Sequence, residues 1–164
     1  MPKEKTLKKK ILDYIYNTSK QPILLKDLLV ANRQYNEGMH VEPAKLGFRI
    51  KLAKAYLVYI LLVAAVLVPI SLLTHKPLAN IDPHISILGA MVITAVIFIG
   101  FNFFRSFMRD AITKELIKKS WILHFPYFSY EEYSEKIDEI FGNAMKDEIS
   151  KRDLERYILD NLSK

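Results

Sequence analysis

The sequence contains no cysteine. Disulfides, thiolate zinc sites and a cysteine nucleophile are excluded, although the compartment is not fixed by that absence. Glycine is nearly as scarce. Its five residues, at 38, 47, 89, 100 and 142, are too scattered for a phosphate-cradling loop. The four histidines, His40, His75, His84 and His124, never fall at ligand spacing within one helix. His75, Asp82 and His84 share one short stretch, but nothing around them would orient metal ligands. The acidic neighbours Glu131-Glu132 and Asp147-Glu148 point apart on a helix, as solvated side chains do and paired general acids do not. No metal site, cofactor or catalytic constellation is therefore expected, and the substrate of any enzymatic reading stays unknown. Such a reading would need His124, Glu131 and Glu132 to meet at a membrane surface.

Charge is absent from two long stretches. Ala55 to Leu73 runs 19 residues without a charged side chain, and Ile85 to Phe104 runs 20. As helices rising about 1.5 Å per residue, each covers about 30 Å, the thickness of a bilayer's hydrocarbon. A soluble core helix keeps one polar face, whereas here Leu, Val, Ile and Ala point in every direction. A chain of 164 residues has little material to wrap two such helices in water. The expected fold is therefore all-α: a two-span transmembrane helical hairpin with short amphipathic cytoplasmic helices at both ends. Its parts are a basic N-terminal arm, 1–54, the hairpin, 55–104, and a helical C-terminal arm, 105–164. Thr74 to His84 would be the outer turn, with Pro77 and Pro83 stopping the helices and Asn80 and Asp82 favouring a turn.

What charge there is lies unevenly. Residues 1–54 carry 12 basic and 5 acidic side chains, whereas 105–164 carry 11 and 12. Lysine and arginine flank the outer ends of the two runs: Lys45, Arg49, Lys51 and Lys54 before the first, Arg105, Arg109 and Lys114 after the second. Only Lys76 lies between them. Positive charge stays on the cytoplasmic side, so both termini are expected there, in a bacterial inner membrane. The lysine-rich start, followed by ILDYIYNT, is too short and polar a stretch for a signal peptide. Lys8, Lys9, Lys10, Arg49, Lys51, Lys54, Tyr56, Arg105 and Arg109 are the candidate contacts to lipid headgroups, together with Lys3, Lys5 and Tyr59. Phe101, Phe103, Phe104 and Phe107 extend the aromatic belt.

Within the spans, Pro69 removes a backbone donor and is expected to kink the first helix. Ala64, Ala65, Gly89, Ala90 and Thr94 are small enough for close helix approach, within the hairpin or against another subunit. Asn102 is the one amide, three residues from Arg105 and so near the headgroups. There is no Asp, Glu, Lys or Arg in either span to carry a proton or ion. An oligomeric channel or transport component is the alternative function, but Ser71, Thr94 and Asn102 are too few and too dispersed in depth to line a wet path.

The arms show helical stripes. Leu7, Ile11 and Ile15 mark a first helix; Leu24, Leu25, Leu28 and Leu29 mark a second. Pro43 suits the start of a helix running through Leu46, Ile50 and Ala53 into the first span. The segment KKKILDYIYNTSKQPILLKDLL resembles the opening of a winged helix-turn-helix domain, a helix, a loop and a short second helix. That resemblance implies a recognition helix next, but NEGMHVEPAKLG offers turn formers and no stripe, so nucleic acid is not an expected partner.

In the C-terminal arm the second span is expected to continue as helix through RDAITKELIKKS, with Met108, Ile112 and Leu116 on one side. Trp121, Phe125, Tyr127, Phe128 and Tyr130 then form an aromatic stretch, either packed internally or offered to a partner. Ser129 and Glu132 have capping-box spacing, and Ser150 with Asp153 repeats it. The helix between is expected to bury Ile137, Ile140, Phe141, Ala144 and Met145 and to expose Glu135, Asp138 and Glu139. Leu154, Tyr157, Ile158 and Leu162 form the last stripe. The function expected is non-enzymatic. The chain reads as an anchoring, assembly or accessory subunit in the membrane lipid that presents a helical module to a protein partner or to its own copies.

Overall fold

The computed structural model describes residues 7–78 and 83–162, without the side chains of 74–78 and 83. Lys3 and Lys5, and Asn80 and Asp82 of the expected outer turn, lie outside the described residues. Among those described, the chain is mostly helical. Six helices, α1 (Leu7–Ile15), α2 (Leu25–Asn36), α3 (Leu52–Leu78), α4 (Pro83–His124), α5 (Tyr130–Lys146) and α6 (Leu154–Leu162), are joined by two short strands, β1 (Tyr16–Thr18) and β2 (Phe48–Ile50). The strands pair with each other and qualify the all-helical expectation.

The strands come together around one glycine and its distant partner. Gly47 sits at φ +62, a conformation that only glycine adopts freely, and a Cβ there would stand 3.0 Å from that of Ser19. The Ser19 N–H donates to the Gly47 carbonyl at 2.7 Å, and the Lys51 N–H donates to Ile15 at 2.8 Å. The helix expected from Pro43 into the first span is therefore absent. Residues 43–47 form turns, and α3 begins only at Leu52. No third helix stands between α2 and β2 among the described residues, so the winged-helix likeness ends where the sequence pattern does.

α3 and α4 are both longer than the uncharged runs inside them. α3 passes through Pro69 and Pro77 and ends at Leu78. Pro77, expected to stop the helix, lies one residue before its end, whereas Pro69 lies nine residues before it and removes an N–H from the interior of the ladder. α4 starts with Pro83, where a missing N–H costs nothing, and continues for 42 residues to His124, just before Pro126 restricts Phe125.

The chain forms two compact units: Met1–Asn17 with Ile50–Arg109, and Thr18–Arg49 with Asp110–Lys164. In the first, α1 packs on α3. Its buried side chains are Leu12 and Ile15, while Leu7 is exposed, so the expected stripe of Leu7, Ile11 and Ile15 is not the face that docks. In the second, α2 packs on α5 and α5 on α6. Their buried faces follow helical spacing: Leu28 and Leu29; Ile137, Ile140, Phe141 and Ala144; Leu154, Ile158 and Leu162. Met145, expected inside, is exposed. Ile112, Leu116, Ile117, Trp121 and Phe125 supply the buried side of the last part of α4.

The two expected caps differ. Ser129 has extended backbone at the start of α5 but makes no side-chain bond to the backbone; its hydroxyl instead donates to Glu132 Oε2 at 3.4 Å. Ser150 does close a local ring: Oγ accepts the Asp153 N–H at 3.3 Å and donates to the Asp153 carboxylate at 2.6 Å.

Candidate functional site

In the first unit the most apolar stretches of α3 and α4 are long enough to cross a membrane, and 0% and 6% of them, respectively, are buried. Length alone would also fit a soluble core helix, but a core helix is covered by its own protein. These two are not.

They touch through a cluster of aromatic residues. Tyr56 stacks on Phe101 at 4.0 Å, and Tyr59 meets Phe101 edge-on and Phe104 at a tilt, both at 5.4 Å. The Tyr59 hydroxyl donates to the Ile97 carbonyl at 2.7 Å. Gly100 makes room for it: a Cβ there would lie 2.5 Å from that hydroxyl. Next to this contact runs an apolar groove of about 470 Å³ that Val63, Val66, Val92 and Val96 help to line.

The small residues singled out in the sequence do not make this contact. Ala65, Pro69, Gly89, Ala90 and Thr94 are exposed, and Ala64 is half-buried. The Thr94 hydroxyl donates to the Ala90 carbonyl at 2.8 Å, so its polarity is spent within α4. Asn102 is exposed. Gly100 carries the close approach instead, and its partner Tyr59 was legible only as a belt residue.

Three of the basic candidates have partners near α1. The Lys54 ammonium lies 4.5 Å from the Tyr14 ring, and the Lys8 ammonium lies 5.5 Å from the Phe107 ring. Lys51 Nζ donates to the Tyr16 carbonyl at 3.2 Å. Arg109 donates to Ser106 Oγ at 3.0 Å. Lys9, Lys10 and Arg105 are exposed, as is Arg49 in the second unit.

In the second unit the aromatic stretch divides. Trp121 and Phe125 are each 1% exposed, whereas Tyr127 is 91% exposed. Trp121 packs on Phe125 and Tyr130, and its indole N–H donates to the Phe128 carbonyl at 2.9 Å. Trp121 and Phe125 therefore belong to the core, and Tyr127 is the fully exposed member of the stretch. His124 Nε2 donates to the Ile23 carbonyl at 2.7 Å, tying the end of α4 to the start of α2.

Polar groups between α2 and α5 were not foreseen. The Tyr130 hydroxyl donates to Oδ1 of fully buried Asn32 at 3.0 Å. Burial chiefly raises the Tyr130 pKa, with the charges of Tyr35 and Glu131 adding to it. Asp138, expected in water, is half-buried, and its Oδ1 has no hydrogen-bond partner. Its pKa is raised by that burial against the attraction of Arg33, while Glu37 raises it further. Glu131 is held low by its hydrogen bond from Lys118. No group of three or more metal-ligating side chains occurs among the described residues. No protein-family model matches the chain, and neither does any curated protein or solved structure.

Proposed function

We propose that the chain is a two-span integral protein of a bacterial inner membrane with both termini in the cytoplasm. On this reading it is a non-enzymatic anchoring, assembly or accessory subunit. α3 and α4 form the hairpin, and the second unit is the module offered to a protein partner or to a second copy. One observation carries the membrane reading: in the most apolar stretches of the two longest helices almost no residue is buried by the protein. In water such surface would cost about 25 cal/mol per Å², far more than a small domain's margin of stability. In hydrocarbon that cost vanishes. The flanking charges supply the orientation, and the packed helices of the second unit supply a folded surface for recognition.

Extraction from native membranes in mild detergent tests the functional part. The expected result is a complex of several copies or a stoichiometric partner. Recovery of monomer alone would contradict it. Ion flux in vesicles holding the pure protein would replace the assembly reading with a channel or transport component.

A further inference from the structure

α1 is only half-covered. Leu12 and Ile15 are buried, but Leu7, Ile11 and Tyr14, which recur at i, i+4 and i+7, form a second apolar edge. Leu7 is 73% exposed and Tyr14 42% exposed. This edge is bordered by cations held against aromatic rings, Lys54 over Tyr14 and Lys8 over Phe107, and Lys10 is exposed two residues on from Lys8, on a different side of α1. Asp13 is the one acidic side chain on the helix. Phe107 and Phe103 are themselves exposed. An apolar edge edged with ammonium groups, next to the ends of two uncovered apolar helices, matches the boundary between acyl chains and headgroups.

We propose that α1 is an interfacial helix that binds the acidic phospholipids of the leaflet at the Lys54 end of α3. Leu7, Ile11 and Tyr14 enter the acyl boundary, while Lys8, Lys10 and Lys54 take the phosphodiester oxygens. A ring contact occupies one side of an ammonium and leaves its other N–H donors for phosphate. This rests on the reading of α3 and α4 as membrane spans.

The test is hydrogen exchange of the full chain in phosphatidylcholine vesicles and in vesicles with phosphatidylglycerol mixed in. The α1 amides are expected to exchange at least about fivefold more slowly with the acidic lipid, the effect of one lysine near such a surface. That slowing should vanish in the Lys8→Gln/Lys10→Gln/Lys54→Gln variant and weaken in Leu7→Ser, where the exposed position spares the fold. Equal exchange in both vesicles overturns the proposal but leaves the spans intact if α3 and α4 stay protected. Slowing by inorganic phosphate in phosphatidylcholine vesicles overturns it too, because the ligand would then be a free anion. Unprotected α3 and α4 in both vesicles overturn the membrane reading along with it.

Discussion

Tyr59 reaches across from α3 to hydrogen-bond the main-chain carbonyl of Ile97 on α4 at 2.7 Å, through the gap left by Gly100. That carbonyl also belongs to the helix ladder, so the phenol adds a bond between helices without breaking one within them. Interhelical hydrogen bonds in membranes contribute about 0.6 kcal/mol on average.

Tyr59→Phe should therefore weaken the α3–α4 contact by about 0.6 kcal/mol, and at most about 1.7 kcal/mol. Gly100→Ala should cost more, about 1–3 kcal/mol, because its Cβ lands 2.5 Å from the hydroxyl. The two effects should not add. In a Tyr59→Phe background the nearest atom is ring carbon Cζ, 3.6 Å away, and the Gly100→Ala penalty should fall sharply. Reversible unfolding in detergent micelles would give the cycle.

Val66 is exposed near the middle of α3. On a water-facing surface Val66→Lys would change stability by no more than about 0.5 kcal/mol. At the centre of a membrane span it should cost about 3 kcal/mol of insertion free energy. The fraction of chain recovered in membranes should drop for Val66→Lys and not for Val66→Leu.

Trp121 and Tyr127 lie six residues apart in one aromatic stretch and should behave oppositely. Trp121→Ala empties a fully buried site and loses the bond to Phe128, so about 3–5 kcal/mol is expected. Tyr127→Ala should stay within about 0.5 kcal/mol. Only the second should alter partner capture without altering the thermal denaturation of the second unit.

Asp138 makes the second unit's stability depend on pH. Its pKa is raised in the folded state, so the folded chain holds that proton more tightly than the unfolded chain. Its contribution is therefore best below the ordinary aspartate range and is lost as pH rises through the folded pKa. Asp138→Asn should stabilise the protein at neutral pH, with the gain disappearing in acid. Melting temperatures of both forms across that range check the sign.

How much of this was legible follows from how local each cause is. Two uncharged runs need only composition, and α3 and α4 enclose them. Ile137, Ile140, Phe141 and Ala144 announce the buried side of α5 by spacing alone. The strands were hidden because they depend on Gly47 meeting Ser19, far away in sequence. Gly100 looked like one scattered glycine among five for the same reason: its role exists only opposite Tyr59. Asp138 looked solvated from its own helix, but burial chiefly raises its pKa, and the charges that modify that shift, Arg33 and Glu37, sit on or beside α2. The inner and outer aromatic residues of the 121–130 stretch could be separated only once α4 was seen to end at His124.

The most direct measurement uses the absence of cysteine. A single thiol is introduced by Ala79→Cys, or separately by Tyr127→Cys, and intact cells or spheroplasts are treated with a membrane-impermeant maleimide. The proposed topology expects Ala79→Cys to be modified from outside and Tyr127→Cys only after lysis. Modification of both without lysis, or of Tyr127→Cys alone, or recovery of the chain in the soluble fraction, would contradict it.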